Sequence, residues 1–137
     1  AVRNADAHLK KFALVYTGVD DVRLAPVYDV LSSTVYPRFA TSLPALPLQG
    51  KRVWASGSML AIYGATWLGL SKADMDEARE RITQAVHGIA PMITDHAARY
   101  PGFRDVAQGM LAAWGTGLAD IRPDAKPGKT VPVPLRG

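Results

Sequence analysis

Between Asn4 and Phe12 the chain gathers an amide, a carboxylate, an imidazole and two ammonium groups, in Asn4, Asp6, His8, Lys10 and Lys11. A second carboxylate, Asp29, follows 23 positions after Asp6. The stretch between them starts with a short, apolar, aromatic-rich run over residues 12–16. A Gly- and Asp-bearing stretch from Thr17 to Asp21 and a second short run from Val22 to Leu24 complete it. That pattern predicts a hairpin, two strands joined by a tight turn, the first of them buried. At roughly 3.3 Å per residue, two strands of about five residues and a turn return Asp29 beside the loop of Asp6. Two carboxylates at one end of a hairpin suit phosphoryl transfer. One orients the attacking hydroxyl and accepts its proton, and the other holds the metal ion that bridges the nucleotide phosphates. The spacing also fits a plainer arrangement, with Asp6 capping a turn and Asp29 capping the next helix, because aspartate is common in both places.

The elements that must position these groups follow along the chain. Pro26 biases Ala25 away from helix, so the second strand leaves as an extended segment. Pro37, Pro44, Pro47 and Gly50 leave residues 31–50 as a loop with room for one helical turn. Val53 to Ser71 is an uncharged run of about the length that a bilayer needs. Its content of Ser56, Gly57, Ser58, Gly64, Thr66 and Gly69 weakens a span, and a helix from about Ser58, buried on most sides, is the expectation. Ser71 with Asp74 three residues on resembles a capping pair. Met75, Ala78, Ile82, Ala85, Val86, Ile89, Met92 and Ile93 then mark one helix face, with a kink expected at Pro91. Tyr100, Pro101 and Gly102 break that helix, and Phe103, Val106, Met110, Ala113, Trp114 and Leu118 form the stripe of a last one. The expected fold is mainly α with a short β-hairpin, the helices packed on one another behind it. Trp54, Trp67 and Trp114 are expected in the core.

The chain has 137 residues, enough for one modest domain. Its 48% hydrophobic and 20% charged residues exclude wholesale disorder. It has no cysteine, which removes disulfides, thiolate zinc sites and cysteine nucleophiles together, and is compatible with a reducing cytoplasm. The net charge of +4 is uneven: residues 1–121 carry 12 basic and 11 acidic groups, and residues 122–137 carry four against one. The basic balance therefore belongs mostly to a proline-rich tail, set apart at 122–137 from a body at 1–121. A nucleic-acid binder would instead cluster cations on one element of its fold. No signal-peptide pattern opens the sequence. His87 and His96 lack a metal-binding motif around them, and nothing in the sequence supplies a base for Ser32, Ser33 or Thr34.

Three ordered blocks carry a likeness. Asn4, Asp6, His8, Lys10 and Phe12 form the first; Leu24 with Pro26, Tyr28 and Asp29 the second; Ser32, Thr34, Tyr36 and Pro37 the third. Together they resemble the C-terminal lobe of HipA-type serine/threonine kinases, the toxin halves of bacterial toxin–antitoxin pairs, along nearly the whole chain. The resemblance implies part of a protein-kinase-like C-lobe, a cytoplasmic transferase using ATP and Mg²⁺. Asp6 takes the part of the catalytic-loop aspartate and Asp29 that of the magnesium-ligating aspartate. His8 falls in the same loop, where it either braces the loop or touches the phosphates. Implied partners are a protein substrate such as an aminoacyl-tRNA synthetase and a helix-turn-helix antitoxin. DNA would be reached only through that antitoxin, and no membrane is implied.

The chain departs from the pattern at one position. Five residues after the catalytic aspartate the kinase plan has Asn, a neutral oxygen ligand for a second metal ion, and this chain has Lys11. A charged ammonium has three donors and no acceptor, so it cannot ligate Mg²⁺. It either stands in for that metal's charge beside the phosphates or points to solvent. There is also no glycine-rich phosphate loop: Gly57 and Gly64 lie in the apolar run, Gly115 and Gly117 in a helix pattern. The chain opens at Ala1, almost within the motif, which suggests a piece of a longer kinase whose nucleotide lobe lies upstream or on another polypeptide. Alone it is expected to bind ATP poorly. The rival expectation is a non-catalytic remnant that keeps the fold and binds an antitoxin or another subunit.

Overall fold

The structure, a computed structural model, describes residues 1–125. Most of the tail, residues 126–137, lies outside the described residues. The architecture is mainly helical with one two-stranded antiparallel sheet. Strands β1 (Leu14–Gly18) and β2 (Asp21–Leu24) pair Leu14 with Leu24, Val15 with Arg23 and Tyr16 with Val22. An irregularity between Tyr16 and Gly18 then places Gly18 opposite Asp21. Contrary to the expected buried strand, both strands are exposed: Leu14, Tyr16, Val22 and Leu24 all face solvent. The reason is structural. A lone two-stranded ribbon has no third strand to cover it, and here none of the helices packs closely against it.

Two short 3-10 turns, Ser33–Val35 and Pro37–Phe39, occupy the proline-rich loop. Helix α1 (Gly57–Leu68) starts at Ser56, whose hydroxyl accepts the Met59 N–H. It ends at Gly69 in the left-handed conformation, with the Leu70 N–H returning to the Gly64 carbonyl. The expectation of a helix buried on most sides is corrected: Ile62 and Leu68 are exposed, and so is Trp67 at 69%, which is not a core residue. Only the glycine-bearing face packs. A Cβ on Gly57 would lie 1.8 Å from the Arg122 carbonyl oxygen, so the chain after the last helix runs directly over this helix. Ser58 Oγ donates to the Ala125 carbonyl in the same seam, so residues 122–125 pack on α1.

Helix α2 (Lys72–Arg99) opens with a full capping box between Ser71 and Asp74. It carries Pro91 on its exposed side and continues to Arg99. The buried strip along it is Val86, Ala90 and Ala97, flanked by half-buried Met75, Arg79, Thr83 and Ile93. Ile82, Ile89 and Met92, expected inward, are exposed. The apolar pattern is wider than the strip that neighbouring elements cover. A further 3-10 turn, Pro101–Phe103, leads into helix α3 (Arg104–Asp120). The core is Val86, Trp114, Leu118 and Ile121, ringed by Val2, Leu60, Ile93, Met110, Leu111 and Ala113. All three helices and the N-terminal segment thus meet there, with α3 at the centre. Among the described residues no helix is long and apolar enough to cross a membrane.

Candidate functional site

Residues 1–3 lie on α3 and residues 4–6 continue from them toward Ser33 and Lys11, and each tie has a specific cause. Val2 packs against the core. The Arg3 guanidinium pairs with Asp120 at the end of α3 and sits over the Trp54 ring, 4.7 Å from its centroid. A Cβ on Gly117 would lie 1.7 Å from the Ala1 carbonyl oxygen, so only glycine lets the segment approach the helix there. The Ala5 N–H donates to Ser33 Oγ at 2.7 Å, and Thr34 Oγ1 donates to the Arg3 carbonyl at 3.5 Å. Ser32, next to it, accepts the buried Trp114 indole N–H at 2.6 Å. The Ser32–Thr34 run therefore faces inward as a brace between the site loop and α3, and Ser32 and Ser33 are buried.

Asn4 Oδ1 then accepts the Asp6 N–H at 2.9 Å, and the Asp6 carbonyl accepts the His8 N–H at 2.8 Å, turning the chain sharply. A 3-10 turn over Leu9–Lys11 follows and delivers the chain into the hairpin. On the return side the Ala25 N–H extends the ladder to the Ala13 carbonyl, and the Tyr28 hydroxyl donates to the Lys10 carbonyl at 3.1 Å. Asp29 follows at φ 53°, a left-handed conformation that aspartate tolerates better than most residues.

The result is a four-residue cluster. Lys11 Nζ donates to Asp29 Oδ2 and lies 3.5 Å from Asp6 Oδ2. His8 Nε2 lies 3.6 Å from the other Asp6 oxygen. The Asp6 side chain is half-exposed, whereas Lys11 keeps only a quarter of its side-chain surface in solvent. The hydrogen bond to Asp29 pushes the Lys11 ammonium above its ordinary 10.5; burial opposes this, and the charges of Asp29 and Asp6 add to the rise. Two carboxylates thus enclose one fixed positive charge. Neither carboxylate caps a helix or a turn: the turn at residues 4–6 is closed by Asn4, and the 3-10 turn after Asp29 has no side-chain cap.

Beside Asp6 opens a cleft of about 540 Å³, walled by Leu31, Tyr36, Phe39, Leu43 and Ala45, with Ser33 and Arg52 at its edge. Sequence reasoning did not find this cleft. Its walls come from a proline-broken loop with no periodicity, and only the unusual density of Tyr, Phe and Leu between residues 31 and 46 hinted at it. Among the described residues no three His, Cys, Asp or Glu side chains cluster as a ready metal cage. A divalent cation here would rest on Asp29 with water and ligand oxygens, as magnesium commonly does.

A family profile described as HipA-like C-terminal domain matches residues 1–95. The chain belongs to this family. No curated protein and no solved structure gives a match. The HipA-like stretch contains Asp6, His8, Lys11, Asp29, the hairpin and the cleft. It stops within α2, so α3, which seats the HipA-like segment through Trp114, Gly117 and Asp120, lies beyond the matched residues.

Proposed function

We propose that this HipA-like chain provides the catalytic and metal-holding part of a serine/threonine protein kinase that transfers the γ-phosphoryl group of ATP to a protein hydroxyl. The observation that carries the reading is the convergence of Asp6 and Asp29 on one ammonium, with Asp6 also lining a cleft. Asp6, half-exposed beside that cleft, orients the acceptor hydroxyl and takes its proton. His8 braces Asp6 from the far side. Asp29 presents a partly exposed carboxylate, an oxygen donor that suits a hard cation, so the residues fit one magnesium ion. When bound there with ATP, magnesium offsets the charge that gathers on the transferring phosphoryl group. Lys11 directs its positive charge into the same space, facing the phosphates.

The cleft brings the protein substrate to Asp6, its apolar walls holding side chains next to the acceptor. The bare faces of the hairpin suit closure by the nucleotide-gripping lobe, since this chain carries no glycine-rich phosphate loop of its own. A synthetase-like target, a helix-turn-helix antitoxin, indirect contact with DNA through it and a cytoplasmic location follow from the family likeness. A second reading, a non-catalytic remnant that binds an antitoxin or a subunit, is favoured by Lys11, which ties up both carboxylates.

The test joins this chain to a HipA-like nucleotide lobe and follows ³²P transfer from ATP to protein. Asp6→Asn should cut the rate by about 10²–10⁴-fold, the usual worth of a positioned base. Asp29→Asn should abolish Mg²⁺-dependent nucleotide binding. No transfer above background by the fused parent would establish the remnant, transfer that ignores Asp6→Asn would overturn the role of Asp6, and nucleotide binding indifferent to Asp29→Asn would overturn the metal assignment.

A further inference from the structure

The position of Lys11 is better defined than a surface lysine requires. Its backbone N–H is bonded to the His8 carbonyl at 2.9 Å, which fixes the root of the side chain in the 3-10 turn. The Tyr28 hydroxyl ties the same turn to the segment that carries Asp29. Its neighbour Lys10 is exposed and makes no ion pair among the described residues, whereas Lys11 is three-quarters covered and touches both carboxylates. Of two adjacent lysines, only one is aimed at the site.

We infer that Lys11 is a tethered cation that occupies the space between Asp6 and Asp29 and competes there with divalent metal ions. The inference rests on the reading of Asp29 as the metal-holding residue and adds a consequence for how many ions the site accepts. Two carboxylates and one ammonium leave a single net negative charge. An ammonium offers donors only, so it blocks one oxygen of Asp29 without adding a ligand. A divalent ion must displace it from Asp29 to bind, and Lys11 leaves no place for a second ion beside Asp6. With asparagine there instead, the net charge becomes −2 and an amide oxygen joins the two carboxylates, an all-oxygen donor set that suits Mg²⁺ or Mn²⁺.

The experiment counts Mn²⁺ alone, by loss of the free-ion paramagnetic resonance signal, on this chain and on two variants of matched helicity. Lys11→Met removes the charge and adds no ligand, and Lys11→Asn removes the charge and adds an oxygen. Both should bind Mn²⁺ more tightly than the parent chain, by about tenfold for Lys11→Met, the scale expected for one charge a few ångströms from a divalent ion in water. Lys11→Asn should gain more. Equal affinity in all three would overturn the inference, as would a gain confined to Lys11→Asn, which would assign the effect to ligation alone. In Lys11→Met combined with Asp29→Asn the gain should vanish. If it persisted, the ion would be held elsewhere, and the metal assignment of Asp29 would fail rather than the competition by charge.

Discussion

Gly117 shows how much of the site rests on one missing side chain. The N-terminal segment crosses α3 so closely that a methyl group at this position would sit 1.7 Å from the Ala1 carbonyl oxygen, and backbone cannot yield as a flexible side chain can. Gly117→Ala should therefore separate two properties. The helix itself should gain, since alanine is favoured over glycine by about 1 kcal/mol in a helix interior. The segment should lift, loosening the Arg3–Asp120 pair and the bond from the Ala5 N–H to Ser33. Amide exchange reads this directly: Ala5 should lose protection while the amides of α3 keep theirs. Unchanged protection at Ala5 would show that the segment can move aside without cost. The same residue-scale logic explains why Asp6 is defined despite its exposure. It inherits its place from Asn4, Ala5 and Ser33, not from contacts of its own carboxylate alone.

At the scale of elements, α2 owes its start to a reciprocal pair. The Ser71 hydroxyl and then the Ser71 N–H donate to the Asp74 carboxylate and hold its pKa below the ordinary 3.8. A carboxyl group with a depressed folded-state value contributes stability that is complete above its unfolded value and is lost as pH falls through the folded one. Thermal melts of the chain and of Asp74→Asn should accordingly differ at neutral pH, and the difference should shrink as pH drops below about 4. A constant difference down to the lowest pH would contradict the hydrogen-bonded cap. This cap was legible in the sequence, as were the hairpin and the break at Tyr100, because each depends on residues a few positions apart. Burial was not. Ile82, Ile89 and Met92 share the apolar pattern of α2, and nothing local says how much of its face the rest of the chain will cover. At the candidate site, the approach of Asp6 and Asp29 to each other was legible through hairpin arithmetic. The Ser32–Trp114 bond joins residues 82 positions apart, and no spacing rule reaches that far.

The molecule as a whole divides into a packed helical body and a ribbon outside it. Core, N-terminal segment and the Ser32–Thr34 brace all converge on α3, so the site loop is as firm as the body on which it rests. The ribbon has no such support, and the cleft and both carboxylates lie at its base. Its outer edges carry unpaired backbone groups, and its side chains include exposed Leu14, Val15, Tyr16, Val22 and Leu24. Natural sheets commonly protect such edges with charge, and here the ribbon carries Asp21 and Arg23, which bind each other. Edge-to-edge pairing between copies is the predictable result when no other surface is present. Light scattering of the isolated chain should rise with concentration while its helical signal stays intact, and Val15→Lys with Val22→Lys should suppress that rise. Scattering indifferent to both lysines would clear the ribbon of blame. A rise that the two lysines suppress would mean that handling of this protein in solution is governed by the eleven residues from Leu14 to Leu24, a colloidal problem and not a folding one.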